Sequence, residues 1–494
     1  MKGFTHKTPE AAGMPPSAIL EFLDYIEKTN YALQSFALIK DGALICEGYY
    51  SPFKADEKRR LYSSSKSIAA LAVGKLVTEG LVSLDAPLVS YFPEYVKGCD
   101  ARLAAATVED ALIMSLPLSS NPYGVFEKKH PDDVTTMDSW CKDFFSGKLV
   151  CDKPKGTLFN YNSHASYILG ALTDRLVGKS FIEYLRPELD KIGVSADIDC
   201  VKSPEGIAWA SSGVLATTRD FALIAQFMMN LGEWDGEQLI SREYMERATT
   251  KRIDTAFELC DVPNTCGYGY QIWMHPHGFA MYGMLGQCAF CFPDKSFIFV
   301  CNSNVKAYLP TIYYAAEKLY DSIDNAPLAA DESSACLAER LFSLRYCTAR
   351  GAARSPIEKE LCGVYELSQN PMGIDKIELG LEASSGIFRM WKNGEIKEIP
   401  FGFGECVDTV FPQKYYSMVF TPHIGDRYPR TLSAGAWTGD RRLMIIMDIS
   451  DTLLGRLTVT LEFADDGGLA MKMVKNGEGL LGEYQGVAIG KKIK

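Results

Sequence analysis

The stretch LYSSSKSIAALAVGKLVTEG, residues 61–80, joins a serine run to a segment that is apolar on nearly every face. A helix of that composition has no side to offer water, so it is expected to be buried. Gly80 sits where a helix C-cap belongs. Ser63 and Lys66 are three residues apart at its start, which places them on one helical face. A serine hydroxyl is a weak nucleophile and needs a base beside it. A lysine one turn later supplies one if burial makes it neutral. A serine at a helix N-terminus also meets free backbone N–H groups.

The spacing S-x-x-K occurs four times, at Ser51–Lys54, Ser63–Lys66, Ser139–Lys142 and Ser303–Lys306. Taken alone it favours a blander reading, an N-cap serine and a snorkelling lysine. Context separates the four. Ser51 precedes Pro52 in a charged loop, Ser139 sits in a polar segment, and Ser303 follows a strand toward Pro310. Only Ser63 opens a long buried helix, where a lysine would be desolvated.

Working outward, residues 17–30 space their apolar positions as an amphipathic helix. SFALIKDGALICEGYY then reads as two strands joined by a turn at Lys40-Asp41-Gly42. Residues 85–250 are mostly helix and loop, with LGALTDRLVGKSFIEYLRPELDKIG and TTRDFALIAQFMMNLGEW the clearest helices. Strand character returns at 268–275, 279–291 and 296–302, and a helix follows near 310–323. This pattern predicts a sheet assembled from both ends of residues 1–326, with a helical insert between them. Residues 327–356 read as a helical connector ending in a loop. From 357 to 494 short alternating runs are split by Gly, Asn and Asp turns, the mark of a small all-β barrel or sandwich.

The 494 residues predict two or three domains, and 47% apolar content is enough for a large core. A net charge of −11 without a basic block argues against nucleic acid or an anionic membrane as partner. The fourteen cysteines are scattered, as in a reduced cytoplasmic protein rather than a disulfide scaffold. Cys288 and Cys291 form a CxxC, but in a strand-like run where residues three apart point to opposite faces. Core packing is the expectation there, not a metal or redox pair. The N-terminal MKGFTHKTPEAAGMPPS has no apolar h-region, and no run of 18 apolar residues follows. A cytoplasmic location without a membrane span is expected.

LYSSSKSIAALAVGKLVTEGLVSLDAPLVSYFPEY resembles the first-motif region of the β-lactamase-related serine hydrolases, which include class C β-lactamases, D-peptidases and esterases. The resemblance continues through TVEDALIMS, KGTLFNYNSHASYILGALTDRLVGKSFIEYL, SSGVLATTRDFALIAQFMMNLGEWDGEQLIS, GYGYQIWM and GMLGQCAFCFPDKSFIFVCNSN. It covers roughly residues 8–322 in the family's order. It implies a β-lactamase/transpeptidase-like α+β domain, an antiparallel sheet with helices beside a helical lobe and the active site between them. It implies that Ser63 and Lys66 are the first motif and that Tyr161 of Tyr161-Asn162-Ser163 shares proton transfer with Lys66. Ser163 stands where the family often has asparagine. Met281-Tyr282-Gly283 aligns with the third motif, usually Lys-Thr-Gly. The resemblance further implies an oxyanion hole from the backbone N–H groups of Ser63 and Met284, with Gly283, Tyr282 and Ser163 beside the substrate. Met281 removes the cation that β-lactamases offer a substrate carboxylate.

Other motifs are weaker. There is no G-x-S-x-G elbow. Gly178-Lys179-Ser180 resembles the end of a P-loop, but Thr173 stands where glycine is needed, so a helix boundary is expected. His164 is a candidate substrate contact. His130, His275 and His277 show no metal spacing, and no metal or other cofactor is expected. The expected activity is hydrolysis of a small ester, amide or peptide through an acyl-enzyme on Ser63. Two alternatives stay open: an acyltransferase using the same acyl-enzyme, and a non-catalytic sensor of the penicillin-binding type.

Overall fold

The computed structural model describes residues 3–118, 140–146, 150–203, 205–256, 264–306, 309–324, 326–414, 428–477 and 481–493. The first helix runs Pro16–Lys28 and buries Ile19, Phe22, Leu23 and Ile26. The hairpin Leu33–Lys40 and Ala43–Tyr49 follows. Its turn residues Asp41 and Gly42 have φ of 52° and 70°, the left-handed pair that matches strand twist in a two-residue hairpin.

The main sheet has seven strands, in the order Thr5–His6, Ala43–Tyr49, Leu33–Lys40, Phe297–Ser303, Gln287–Phe292, Gly278–Gly283 and Trp273–His275. Segments from both ends of residues 1–326 therefore meet in one sheet, as expected. The outermost pair, Thr5–His6 with Ala43–Tyr49, is parallel, so the sheet is not wholly antiparallel. Pro16–Lys28 and Leu309–Ser322 cover one face through Phe22, Leu23, Ile312 and Leu319. The helical lobe covers the other face against Ile39, Met281, Ala289 and Val300. Cys288 belongs to the first of these cores and Cys291 to the second, on opposite faces of one strand. Burial pushes both thiols up.

Two strand expectations need correction. Residues 279–291 are a hairpin rather than one run, because Leu285 and Gly286 take φ of 63° and 90° between Gly278–Gly283 and Gln287–Phe292. Within 268–275 only Trp273–His275 is strand; Gln271 at φ 59° turns the backbone before it.

The helix Ser65–Thr78 buries every residue from Ser65 to Leu76. It packs against Ser163–Val177. A Cβ on Gly74 would come 2.5 Å from the Tyr244 ring, so only glycine permits that approach. Gly178 is the left-handed cap of Ser163–Val177 and Ser180 caps the next helix, so the P-loop-like triplet is a helix boundary. A small sheet not anticipated from sequence, Arg59–Arg60, Val214–Ala216 and Asp199–Cys200, ties residues before Ser63 to the segment after Ser211.

The helix Glu332–Phe342 packs on Pro16–Lys28 and leads to the C-terminal β unit. Among the described residues, nine strands from Gly363–Leu367 to Gly486–Lys492 close into a barrel. Closure is a parallel pairing of Gly402 with Ala434 and Phe403 with Gly435. The choice between barrel and sandwich is thus settled as a barrel. Asp448, fully buried in its wall, accepts hydrogen bonds from Tyr346 Oη at 3.0 Å, Thr348 Oγ1 at 2.9 Å and Arg456 Nε at 2.6 Å. The connector is thereby fastened to the barrel.

Candidate active site

Ser63 lies in the one-turn 3-10 helix Tyr62–Ser64, directly ahead of the buried helix. It is half-buried, whereas Lys66 is 1% exposed. Lys66 Nζ is 3.0 Å from Ser63 Oγ and 2.6 Å from the Ser211 carbonyl oxygen. Burial pulls the Lys66 pKa down to about 7, because a charged ammonium loses its hydration there. A large share of Lys66 is therefore neutral near neutral pH.

Tyr161 enters from the loop before Ser163–Val177. Asn162 caps that helix, its Oδ1 accepting from the N–H groups of His164 at 2.9 Å and Ala165 at 3.1 Å. The cap fixes where Tyr161 leaves the helix. Its ring centroid stands 5.1 Å from Lys66 Nζ and stacks on Trp273 at 5.7 Å. Ser163, at 6% exposure, is the first residue of the helix. His164 is 1% exposed, and burial pushes its pKa well below the usual value. Its ring lies 6.4 Å from that of Phe144.

The strand Gly278–Gly283 packs along the Tyr62–Ser64 turn. A Cβ on Gly283 would collide with the Leu61 carbonyl, so glycine is what lets strand and turn meet. Met284 follows and is exposed. Met281 is fully buried on the helix side of the sheet. Tyr282 points to the opposite face, with its ring 5.5 Å from Phe290 and 6.1 Å from Trp273. The fold thus brings Ser63, Lys66 and Tyr161 together and sets Gly283 and Met284 beside the Tyr62–Ser64 turn, with Ser163 and Tyr282 buried.

Among the described residues, two other S-x-x-K serines, Ser303 and Ser51, are engaged elsewhere. Ser303 is fully buried and its Oγ donates to the Leu285 carbonyl at 2.8 Å. Ser51 bridges to Arg345 at the surface. Ser139 and His130 lie outside the described residues. Among the described residues no three His, Cys, Asp or Glu side chains stand together as a metal site. Among them, too, no helix is long and apolar enough to cross a membrane.

Sequence reasoning missed Ser211, because its part is played by a backbone carbonyl, which any residue type carries. It also missed Trp273, whose stacking on Tyr161 depends on a turn far away in sequence.

A 6-aminohexanoate-dimer hydrolase of Paenarthrobacter ureafaciens is 24% identical over 225 residues, 43% of this chain and 56% of that relative. The match therefore spans little more than half of the relative's length. The octameric penicillin-binding protein homologue of Pyrococcus abyssi superposes with a TM-score of 0.50 at 18% identity, over 96% of this chain and 99% of the other. A family VIII carboxylesterase superposes with a TM-score of 0.48 at 16% identity, over 65% and 99%. The β-lactamase family model matches residues 31–311. That span is more than half of the chain and contains Ser63, Lys66, Tyr161 and Met284, so the protein belongs to the β-lactamase family.

Proposed function

We propose that the protein is a serine hydrolase that cleaves a small ester, amide or peptide through an acyl-enzyme on Ser63. One observation carries this reading: a buried Lys66 with a pKa near 7, 3.0 Å from Ser63 Oγ. Neutral Lys66 takes the Oγ proton as Oγ attacks the carbonyl carbon. The N–H groups of Ser63 and Met284 receive the oxyanion. Lys66 and Tyr161 return the proton to the leaving group, and water releases the acyl group by the reverse sequence. The chemistry belongs to residues 1–326, with 327–356 as connector and 357–494 as the β unit. The name of the 6-aminohexanoate-dimer hydrolase adds weight to a small substrate for this chain too.

Intact-mass spectrometry tests this after exposure to p-nitrophenyl esters, D-amino-acid amides and a penicillin. A mass increase equal to one acyl group, located on Ser63 and absent in Ser63→Ala, is expected for at least one short ester or amide. Turnover by Ser63→Ala at the wild-type rate would remove the assignment, since loss of the nucleophile costs several orders of magnitude.

A further inference from the structure

The barrel reaches the segment that carries Ser63. The turn between the strands Arg442–Ser450 and Leu454–Phe463 lies against the residues just before the serine. The Leu454 N–H donates to Tyr62 Oη at 2.8 Å. Leu454, Tyr62 and Leu285 form an apolar cluster in which none is more than 3% exposed. Leu285 is the neighbour of Met284.

A second tie runs through Arg60, which is 1% exposed. Its Nη1 donates to the Thr452 carbonyl at 3.5 Å and its Nε to the Ser212 carbonyl at 2.8 Å. Its guanidinium lies between the rings of Tyr62 and Trp209, at 4.5 and 4.8 Å. Ser212 adjoins Ser211, whose carbonyl holds Lys66. The barrel turn thus touches the residue next to Ser63 directly and connects to Lys66 through Arg60 and the Ser211–Ser212 segment.

Tyr62 has φ of 48°. A bulky residue in the left-handed region is strained, and such a backbone persists where its surroundings over-determine it. Here the surroundings are a hydrogen bond from the barrel, a stacked guanidinium and two leucines. We propose that the turn 451–454 is a positioning element of the hydrolase site. It holds Tyr62 left-handed, and so aims Ser63 Oγ at Lys66 and the Ser63 N–H at the oxyanion. The proposal rests on the reading of Ser63 as nucleophile. Tyr62 and Leu454 act through Ser63 and touch no reacting atom.

A fluorophosphonate probe on the full chain tests it. Ser63 Oγ forms the P–O bond, fluoride leaves, and the Oγ proton passes to Lys66. Tyr62→Phe deletes the hydroxyl that accepts from Leu454, and Leu454→Ala deletes the packing on Tyr62. Each should slow labelling and kcat roughly ten- to a hundredfold, the scale of a small misplacement. KM should stay within about twofold, and one probe per chain should still bind at the end, as expected when only orientation is lost. Leu454→Met should restore the rate, because it keeps the volume. Wild-type rate constants in both variants, with Ser63→Ala silent, would overturn the barrel's role and leave the nucleophile standing. So would a fall in final labelling with an unchanged rate constant, the mark of a merely structural role. Labelling of Ser63→Ala at the wild-type rate would remove the nucleophile and the positioning role with it.

Discussion

Lys66 Nζ lies 2.6 Å from the carbonyl oxygen of Ser211. A neutral amine has two N–H donors and one lone pair. Lys66 Nζ donates to the Ser211 carbonyl and also stands 3.0 Å from Ser63 Oγ, within reach for a proton to pass once the amine is neutral. Burial lowers the amine's pKa to about 7, and a backbone carbonyl holds its Nζ.

Lys66→Ala and Tyr161→Phe should each lower kcat/KM by roughly 10²-fold or more, the scale of a positioned acid–base group. The double variant should be little worse than the poorer single one, because both serve one proton path. Steady-state kinetics on a short p-nitrophenyl ester measure this. Fully additive losses would show that the two groups work independently.

The pH profile should follow Lys66. Only the neutral amine accepts the Ser63 proton, so kcat/KM should rise with pH with a slope of about 1 and level off above about 7. In Tyr161→Phe the limb should persist, and in Lys66→Ala the residual rate should lose it. A wild-type profile flat from pH 5.5 to 8.5 would contradict Lys66 as the base.

Stability should carry the same signature. Burial pulls Lys66 down to about 7 in the folded protein from the ordinary 10.5, which the unfolded chain keeps. Between those values the unfolded chain binds more protons, so the stability from this group rises with pH across that window. Below about 7 the folded state bears the full penalty of a buried charge. Lys66→Met removes it. The Tm of Lys66→Met minus that of the wild type should therefore be larger at pH 6 than at pH 9, by roughly 2 °C or more. An equal difference at both pH values would place the Lys66 pKa outside the window.

The substrate carboxylate should be poorly served. Met281 is fully buried and uncharged where the resemblance aligns the third-motif lysine of β-lactamases. A lost charge-assisted hydrogen bond of about 1.5–3 kcal/mol converts to roughly 10–150-fold. Nitrocefin should accordingly give a lower kcat/KM than short p-nitrophenyl esters. An equal or higher value would mean that another cation serves the carboxylate.

Much of this molecule follows from local pattern. The buried helix Ser65–Thr78 and the hairpin at Asp41-Gly42 were legible from it, because apolar spacing and turn chemistry act over a few residues. Ser63 and Lys66 share a face by helical geometry alone, so their pairing was legible too. Their choice among four S-x-x-K pairs needed the buried helix, which the sequence already displayed. Tyr161 was reached through resemblance, since the 94 residues of chain between it and Lys66 give local pattern no hold on it. Tertiary structure decided what depends on chain segments meeting from afar. The Ser211 carbonyl reaches Lys66 because the strand Val214–Ala216 pairs with Arg59–Arg60. The barrel closes through a parallel contact at Gly402 and Phe403, which alternation cannot distinguish from a sandwich. Leu454 meets Tyr62 across 392 residues. Periodicity reports which face of an element is buried, and it carries no information on which partner buries it.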